Sequence, residues 1–523
     1  MTRLTRRSVV VGAGVVASLP ALGSGRPASA QGSKKILIIA SNQDIPNFDP
    51  HVASGYSAAM LLRNTYDSLV RAEGNPPNPV PHLASSWTIS PDGTEYAFKL
   101  DPAARFHDGS PVSGEAVRYS FNRALRLGKG NSWMIAGIVD QNSVSAPDAG
   151  TVKIKLLKPF TAFLQVLPWI WVVNPALVEA NLGSDDGQNY LRTNFAASGA
   201  FRVRRAEAGN LYEFERMPNA WKSGGGNLTG AIWKIVRETS SQRLMLQRGE
   251  AHIAVDLTAE DMDALNDKPG VVEIVEPEYR TFSIKMNTRH GPFTDLNLRK
   301  AVSYAVNYQA LLEADGGYAD LMKGPLPPGI LGFDPDIEVY RTDMAKAKEF
   351  LGKSSSAAGG VKLSYDYVSG LDQERRFGLV LLDAVKQLGL DLEIKAKIWP
   401  DLVAQCSKPE TTPDFFPVYQ TANYGDPDNI ANAAYGSSRN GSWQNPVYSS
   451  PAVDKLIEQG RSEMDEMKRK AIYAEFQKAV VADAPDIFGV LEKRKLAMRS
   501  EVKNFTFTPV ASNAIELFPL SLA

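Results

Sequence analysis

Cysteine and histidine are scarce in this chain. Cys406 is the only cysteine, and five histidines are scattered singly through 523 residues. A single cysteine excludes an intrachain disulfide, and no Cys-His signature surrounds it that would predict a catalytic thiol. The patterns His-Glu-x-x-His, His-x-x-His and Cys-x-x-Cys do not occur, so the sequence predicts no transition-metal site.

Motifs of common enzyme chemistries are also missing. The sequence contains no Gly-x-Ser-x-Gly, no phosphate-binding Walker loop and no Gly-x-Gly-x-x-Gly that opens a helix. We therefore predict no catalytic residues and no bound cofactor. An enzyme is the weaker hypothesis from the outset.

An excess of positive charge is absent as well. The first 30 residues hold four arginines and no acid, which leaves 53 basic and 58 acidic residues in the rest of the chain. A net charge near −5 argues against non-specific binding to nucleic acid or to anionic lipid. Hydrophobic residues make up 44% and charged residues 22%, as in ordinary globular proteins, and the length suits two or three domains.

The first 30 residues have the pattern of an export signal. Arg6 and Arg7 precede an uncharged stretch over 9–22, and Ala28-Ser29-Ala30 is typical of a peptidase cleavage site. The arginine pair resembles a twin-arginine signal, with a general export signal as the alternative. We predict cleavage after Ala30 and a soluble periplasmic protein. Gln31 follows the cut in place of a cysteine, so no lipid anchor is expected.

Apolar runs and amphipathic stretches alternate from residue 35 to the end, which is typical of a mixed α/β protein. Residues 361–367, 373–388 and 392–398 read as strand, helix and strand, the order of a right-handed crossover in a parallel sheet. The pattern also predicts a helix over 58–70, a hairpin over 87–100, a helix from Ser113 to about 127, and one long helix over 298–314.

A series of short motifs runs through most of the chain. They are Asn47-Phe48-Asp49-Pro50, Tyr66-Asp67-Ser68-Leu69, Leu83-Ala84-Ser85-Ser86-Trp87, Pro91-Asp92-Gly93, Phe106-His107-Asp108-Gly109, Ser198-Gly199-Ala200-Phe201, Gly249-Glu250-Ala251-His252-Ile253, Gly291-Pro292-Phe293-Thr294-Asp295, Gly425-Asp426-Pro427-Asp428-Asn429 and Asp483-Ala484-Pro485. Each motif alone is weak, but their order and spacing are specific. On these motifs the chain resembles the periplasmic substrate-binding proteins of the dipeptide/oligopeptide type, solute-binding family 5 of the ATP-driven importers.

The resemblance implies an α/β periplasmic binding protein fold, with two lobes that close about a hinge and a third, extra domain packed on one lobe. It implies lobe I over 32–76, 198–284 and 495–523, the extra domain over 77–197, and lobe II over 285–494. The implied function is a receptor that captures a small peptide-like or polar solute and delivers it to an inner-membrane permease with its ATPase subunits. A monomer is expected.

The resemblance also points to residues of the ligand cleft. They are Ser54, Gly55, Tyr56, Tyr367, Gln420, Thr421, Asn423, Tyr424 and Asp426. In peptide-binding relatives the position that matches Asn423 carries an acid that pairs with the peptide ammonium. Asn423 is neutral, and a shift of one residue in this match would make Asp426 or Asp428 the acid instead.

The second anchor of dipeptide binders is an arginine for the peptide carboxylate, just before the long helix of lobe II. The matching stretch over 367–370 has none, and Arg375 and Arg376 are expected to face solvent. A neutral ligand such as a sugar, an opine-like conjugate or a modified peptide is therefore at least as well supported as a plain dipeptide. Two further functions stay open: a periplasmic enzyme exported by the twin-arginine route, and a peptide sensor or chaperone on the same scaffold.

Overall fold

The structure is a computed structural model that describes residues 34–45, 47–255, 257–510 and 515–523, with only the backbone of Tyr56. The export signal predicted over 1–30 lies outside the described residues. Within them, no helix combines the length and the apolar character needed to cross a membrane.

The first 200 residues contribute one strand of the main sheet and a smaller α/β region. Their elements are β1 (Ile36–Ser41), α1 (Tyr56–Thr65), β2 (Asp67–Ser68), β3 (Val70–Glu73), β4 (Asn78–Pro81), β5 (Ala84–Ile89), β6 (Glu95–Leu100), α2 (Gly114–Leu127), β7 (Val144–Asp148), β8 (Thr151–Lys155), α3 (Phe163–Val166), β9 (Trp171–Val172), α4 (Pro175–Glu179) and α5 (Gln188–Leu191).

The middle of the chain returns to the main sheet. Its elements are β10 (Phe201–Glu207), β11 (Leu211–Arg216), β12 (Gly230–Ile235), α6 (Thr239–Arg248), β13 (Ile253–Ala254), α7 (Ala259–Leu265) and the long strand β14 (Val271–Met286).

The remaining elements are α8 (Leu296–Ala305), α9 (Tyr308–Asp315), β15 (Ala319–Leu321), α10 (Met344–Gly352), β16 (Lys362–Val368), α11 (Asp372–Gln387), β17 (Asp391–Lys397), α12 (Trp399–Gln405), β18 (Phe415–Thr421), α13 (Pro427–Tyr435), α14 (Pro451–Ser462), α15 (Glu466–Asp483), β19 (Asp486–Arg499), β20 (Val502–Lys503) and β21 (Ser521–Leu522).

One eleven-stranded sheet connects both halves of the described chain. Its strand order is β10-β11-β12-β1-β13-β19-β14-β18-β16-β17, with β15 beside β19. On one side of the central pair β14 and β19, strand β1 runs parallel to β12 and β13. On the other side, β16 runs parallel to β17 and β18, which confirms the predicted crossover through α11.

The two halves of the sheet meet at a bulge in β14. Pro277 pairs with Lys493 and Thr281 with Leu491, so residues 278–280 lie opposite Glu492 alone. A bulge interrupts the ladder and bends the strand, and a few residues of this kind absorb the rotation when two lobes move. The fold is the predicted two-lobed α/β arrangement, with β14 and β19 as hinge strands.

The described residues form five hydrophobic clusters, and the three largest lie in lobe II, in lobe I and in the predicted extra domain. The largest fully buried side chains are Trp233, Arg123, Tyr66, Tyr212, Tyr365, Tyr473, Phe98, Phe121, Phe160, Phe163, Phe201 and Phe282. Trp171 and Ala196 lie within the range predicted for the extra domain but pack in the lobe I core. The domain boundaries therefore stay a prediction.

The extra domain contains the predicted hairpin and capped helix. Strands β5 and β6 pair antiparallel around Asp92 and Gly93, and β8 and β7 complete a four-stranded sheet. The Ser113 hydroxyl accepts a hydrogen bond from the Ala116 backbone N–H at 3.3 Å, which caps α2. Both predictions are confirmed.

Two helix predictions are wrong in length. The helix over 298–314 is broken into α8 and α9, because Val306 is extended and Asn307 caps α9 by accepting from the Ala310 N–H at 3.0 Å. The helix over 58–70 ends at Thr65, because Tyr66 is extended and Asp67 and Ser68 pair with β9.

Candidate functional site

The carboxyl ends of parallel strands from both lobes meet at the hinge. Strand β1 ends at Ser41, and Ala254 at the end of β13 lies beside Ala497 of a hinge strand. From lobe II, β18 ends at Thr421, opposite Arg280 in the bulge. Crevices outside the carboxyl ends of parallel strands are the usual ligand sites of α/β folds. This edge between the lobes is the candidate site.

Asn423 lies two residues beyond the end of β18, on this edge, and is half-buried. Its backbone N–H donates to Asn429 Oδ1 at 3.1 Å, and its carbonyl oxygen accepts from the Trp169 indole N–H at 2.7 Å. Among the described residues, no hydrogen bond involves the Asn423 side-chain amide. The amide group is therefore available to a ligand as donor and acceptor.

Gln420 and Thr421 precede Asn423 on the same strand end. Gln420 is 4% exposed, and its amide nitrogen donates to the Gln444 carbonyl at 3.4 Å. Thr421 is half-buried opposite the bulge of β14. Both residues belong to the strand end at the candidate site, and their role in binding stays a prediction.

Tyr424 and Asp426 point away from the strand ends. The Tyr424 ring packs in the core of the extra domain, and its hydroxyl donates to Asp428 Oδ2 at 3.1 Å. The Asp426 carboxylate accepts two hydrogen bonds from Arg469, each at 2.7 Å. Both contacts stabilise the fold. Nothing in the geometry favours the predicted role of Tyr424 and Asp426 as ligand contacts.

The alternative acid, Asp428, is 1% exposed and lies 3.1 Å from the Arg461 guanidinium. Burial raises the pKa of Asp428 to about 6, although Arg461 acts in the opposite direction. A ligand ammonium would have to displace Arg461 to reach this carboxylate. Both carboxylates of this segment therefore face arginines, and the role of Asn423 as a ligand contact stays a prediction.

Four further residues were predicted from the resemblance. Tyr367, near the end of β16, is half-buried and stacks on Tyr365 with ring centroids 6.3 Å apart. Ser54 and Gly55 are exposed just before α1, and a Cβ at Gly55 would meet nothing within 4 Å. Tyr56 begins α1, and its side chain lies outside the described part of the chain.

Of the two arginines at the start of α11 that were expected to face solvent, Arg375 is exposed, whereas Arg376 is half-buried with its Nε shielded from solvent. The Arg375 and Arg376 side chains are 46% and 40% exposed, and both pair with Asp372, at 2.8 and 3.5 Å. Gln373 occupies the inner face of this turn instead. It accepts a hydrogen bond from the Tyr419 hydroxyl and donates to Asp315 and, at 3.2 Å, to Glu492.

Sequence reasoning missed a charged group at the hinge. The Arg280 guanidinium lies 4.5 Å from the centroid of the Tyr419 ring and 3.0 Å from Glu492 Oε2. The Arg280 side chain is 34% exposed, whereas that of Glu492 is 8% exposed. Burial raises the pKa of the Tyr419 hydroxyl well above its usual value, so it stays a hydrogen-bond donor. No local motif marks Arg280, because its partners are distant in sequence.

Sequence reasoning also missed two tryptophans near the end of β17. Trp399 begins α12, is 47% exposed and meets Trp443 edge-on, with ring centroids 4.8 Å apart. Gln444, the residue after Trp443, accepts the hydrogen bond from Gln420. An exposed indole ring and a half-buried one beside polar groups suit the apolar face of a small polar ligand. The available signal was the exposed Trp-Pro pair that follows an alternating strand.

The scarce residue types lie apart from this edge. Cys406 is fully buried, and burial raises the pKa of its thiol to about 12. His51 and His82 are buried beside charged partners, Arg123 and Asp67 respectively. In the described part of the chain, no three side chains of His, Cys, Asp or Glu group as metal ligands would.

A cavity of about 720 Å³ lies elsewhere, between the 334–343 segment and α15. Its lining includes none of the predicted site residues. The candidate site is therefore located by the strand ends that meet at the hinge, and not by the volume of this cavity.

Comparison with known proteins matches the chain to one family. The sequence pattern of the bacterial extracellular solute-binding proteins of family 5 (its middle region) matches residues 78–442. A probable D,D-dipeptide-binding periplasmic protein of Escherichia coli strain K12 is 28% identical over 504 residues, 93% of this chain and 94% of that protein. A glutathione-binding protein of Pectobacterium atrosepticum is 26% identical over 519 residues, 96% of each chain.

A solved structure shares the fold over almost the whole chain. The periplasmic binding protein of an importer from Helicobacter pylori, in complex with the peptide STSA, superposes with a TM-score of 0.80 at 22% identity. The match covers 93% of this chain and 98% of that chain. It supports the two-lobed α/β fold.

Proposed function

The chain belongs to the bacterial extracellular solute-binding proteins of family 5, and from this we propose that it captures a small peptide-like or polar solute between its lobes and hands it to an ATP-driven importer. The observation that carries the proposal is the convergence of parallel strand ends from both lobes at the β14–β19 hinge. A ligand that contacts both edges stabilises the closed state by its differential affinity for that state.

The ligand is a solute that does not depend on an ammonium anchor at position 423. Asn423 offers an uncharged amide there, and the nearby carboxylates of Asp426 and Asp428 already face Arg469 and Arg461. An ammonium in a closed cleft with only amide partners loses hydration that it does not regain, at a cost on the order of a few kcal/mol. Peptides with a blocked amino end, opine-like conjugates and sugars avoid this cost.

The names of the relatives support a peptide-like ligand and a periplasmic location. One is named for D,D-dipeptides and another for glutathione, and the first is called periplasmic. These names, together with the export signal predicted over 1–30, support a periplasmic protein, which we propose acts as a monomer that meets an inner-membrane permease and its ATPase subunits. The exported form should begin at Gln31, which its intact mass would show.

The receptor function is tested by ligand-dependent closure. A thermal-shift screen of blocked dipeptides, opines, sugars and free dipeptides identifies stabilising solutes, and a solute at a hundredfold excess over Kd stabilises by about 2.7 kcal/mol. Small-angle scattering with each stabilising solute should then show a smaller radius of gyration. A solute that raises the melting temperature but leaves the radius unchanged would contradict hinge closure.

A further inference from the structure

The segment that presents Asn423 is held by the extra domain as well as by lobe II. The Trp169 indole N–H donates to the Asn423 carbonyl at 2.7 Å, and Trp169 itself is 8% exposed. The next residue, Tyr424, buries its ring in the core of the extra domain. Trp169 and Asn423 are 254 positions apart in the chain, so only the tertiary fold joins them.

Both peptide groups that flank the Asn423 side chain are fixed. Asn429 Oδ1 accepts from the Asn423 N–H at 3.1 Å, while Trp169 donates to its carbonyl. The side-chain amide is the remaining hydrogen-bonding group of this residue, and it lies at the strand ends. Because both peptide groups next to the Asn423 Cα are held by hydrogen bonds, the backbone at this residue has a defined orientation. The direction of its side chain is therefore defined as well.

A close backbone approach supports the same contact. A Cβ built on Gly425 would lie 2.5 Å from Cγ and 3.1 Å from Cδ of Pro77, the residue just before β4. Real Cβ atoms do not approach this closely, so only glycine lets the segment pack against the extra domain here.

A third contact joins the extra domain to the end of α14. Thr161 of the extra domain donates through its hydroxyl to the carbonyls of Arg461 and Glu463, at 3.1 and 3.0 Å. The Arg461 guanidinium lies 5.1 Å from the Phe160 ring and 3.1 Å from Asp428. The extra domain thus touches the 423–429 segment directly and through the arginine that pairs with it.

We propose that Trp169 is a positioning residue for Asn423, and that the extra domain is thereby part of the ligand-binding machinery. The proposal rests on the proposed function, in which Asn423 contacts the solute. Trp169 itself does not reach the ligand. Its indole N–H sets the orientation of the peptide unit that carries the Asn423 amide, so a change in the extra domain alters affinity in the cleft.

The test compares Trp169→Phe with Trp171→Phe in the full exported chain without ligand. Trp171 is a matched control, because its ring is 3% exposed and its indole nitrogen is buried with no hydrogen-bond partner. Hydrogen exchange followed by mass spectrometry should show amides of 423–425 exchanging roughly three- to tenfold faster in Trp169→Phe only. Amides of β5 and β6, in the core of the extra domain, should keep their wild-type rates.

A general structural role gives a different result. If Trp169 only fills the core, exchange in Trp169→Phe rises across β5 and β6 as well as at 423–425, and the positioning role is overturned. Equal exchange at 423–425 in both tryptophan variants overturns it too. Because no ligand is present, these outcomes are independent of whether the proposed function is correct.

A second pair of variants covers poor folding of Trp169→Phe. Gly425→Ala should loosen the same 423–425 amides, because its Cβ meets Pro77, whereas Gly352→Ala has nothing within 4 Å of its Cβ and serves as control. Unchanged exchange at 423–425 in Gly425→Ala would show that the extra domain does not hold this segment, and would overturn the proposal.

Discussion

Arg469 holds Asp426 in a two-pronged ion pair. Nη1 and Nη2 of Arg469 each donate to one carboxylate oxygen of Asp426 at 2.7 Å, and both side chains are buried. Asp426 also caps α13 by accepting from the Asp428 N–H at 2.9 Å. Asp426, which was predicted as a ligand contact, therefore joins α13 to α15 in this structure.

The first prediction concerns Asp426→Asn. Asparagine keeps the helix cap but removes the charge that faces Arg469, which leaves a buried guanidinium unpaired. We expect a loss of about 3–5 kcal/mol in the free energy of unfolding, measured by urea denaturation. Glu349→Gln, in an exposed pair with Lys353 at 2.6 Å, is the control and should leave that free energy unchanged within error.

A different combination of unfolding free energy and solute affinity in Asp426→Asn would support a ligand role for Asp426. If Asp426→Asn unfolds like the wild type but loses solute affinity in the thermal-shift assay, then its carboxylate serves the cleft and not the fold. Far-ultraviolet circular dichroism of the same samples shows whether each variant is folded.

The second prediction concerns pH and Glu374. Glu374 is 2% exposed on α11, and burial raises the pKa of its carboxyl from the usual 4.5 to about 7, although the Val368 N–H donates to it at 2.8 Å. Between pH 4.5 and 7 the native state keeps this proton while the unfolded state releases it. The unfolding free energy therefore falls as pH rises through this window, by about 3 kcal/mol from this group.

Glu374→Gln should flatten this pH dependence, because glutamine has no proton to release. Urea denaturation at pH 4.5, 5.5 and 7 measures it, with the exposed Glu410→Gln as control. A Glu374→Gln variant whose stability declines with pH as steeply as the wild type would show that the pKa of Glu374 is not raised in the native state.

The third prediction concerns the lone thiol. Because Cys406 is fully buried and burial raises its pKa to about 12, it should not react with a disulfide reagent such as DTNB in the native protein at pH 8. In 8 M urea one equivalent should react at once. Rapid labelling of the native protein would mean that the α12 region opens readily.

Local signals predicted much of the fold. The crossover over 361–398 and the hairpin over 87–100 were recognisable because each depends on residues close in sequence, such as Asp92 and Gly93 in the turn. The helix over 298–314 was misread because its apolar period continues across Val306, whereas Asn307 acts as a cap. The end of α1 depends on pairing of Asp67 with Val172, a contact that no local pattern shows.

The candidate site was only partly predictable for the same reason. Gln420, Thr421 and Asn423 were placed at the cleft by resemblance, and the structure puts them at the strand ends. Arg280 and Trp169 were missed, since Glu492 and Asn423, their respective partners, lie more than 200 positions away. Such long-range pairs form only when the lobes and the extra domain assemble.

Because Asn423 stands at the position of the ammonium anchor, we propose that the cleft does not hold a peptide ammonium. Isothermal titration calorimetry with alanyl-alanine and N-acetyl-alanyl-alanine tests it directly, in the wild type and in Asn423→Asp. We expect Asn423→Asp to bind free alanyl-alanine roughly a hundredfold more tightly than the wild type does, with no such gain for the acetylated form. Submicromolar binding of free alanyl-alanine by the wild type, lost on acetylation, would show that the cleft has an ammonium anchor and would contradict this proposal.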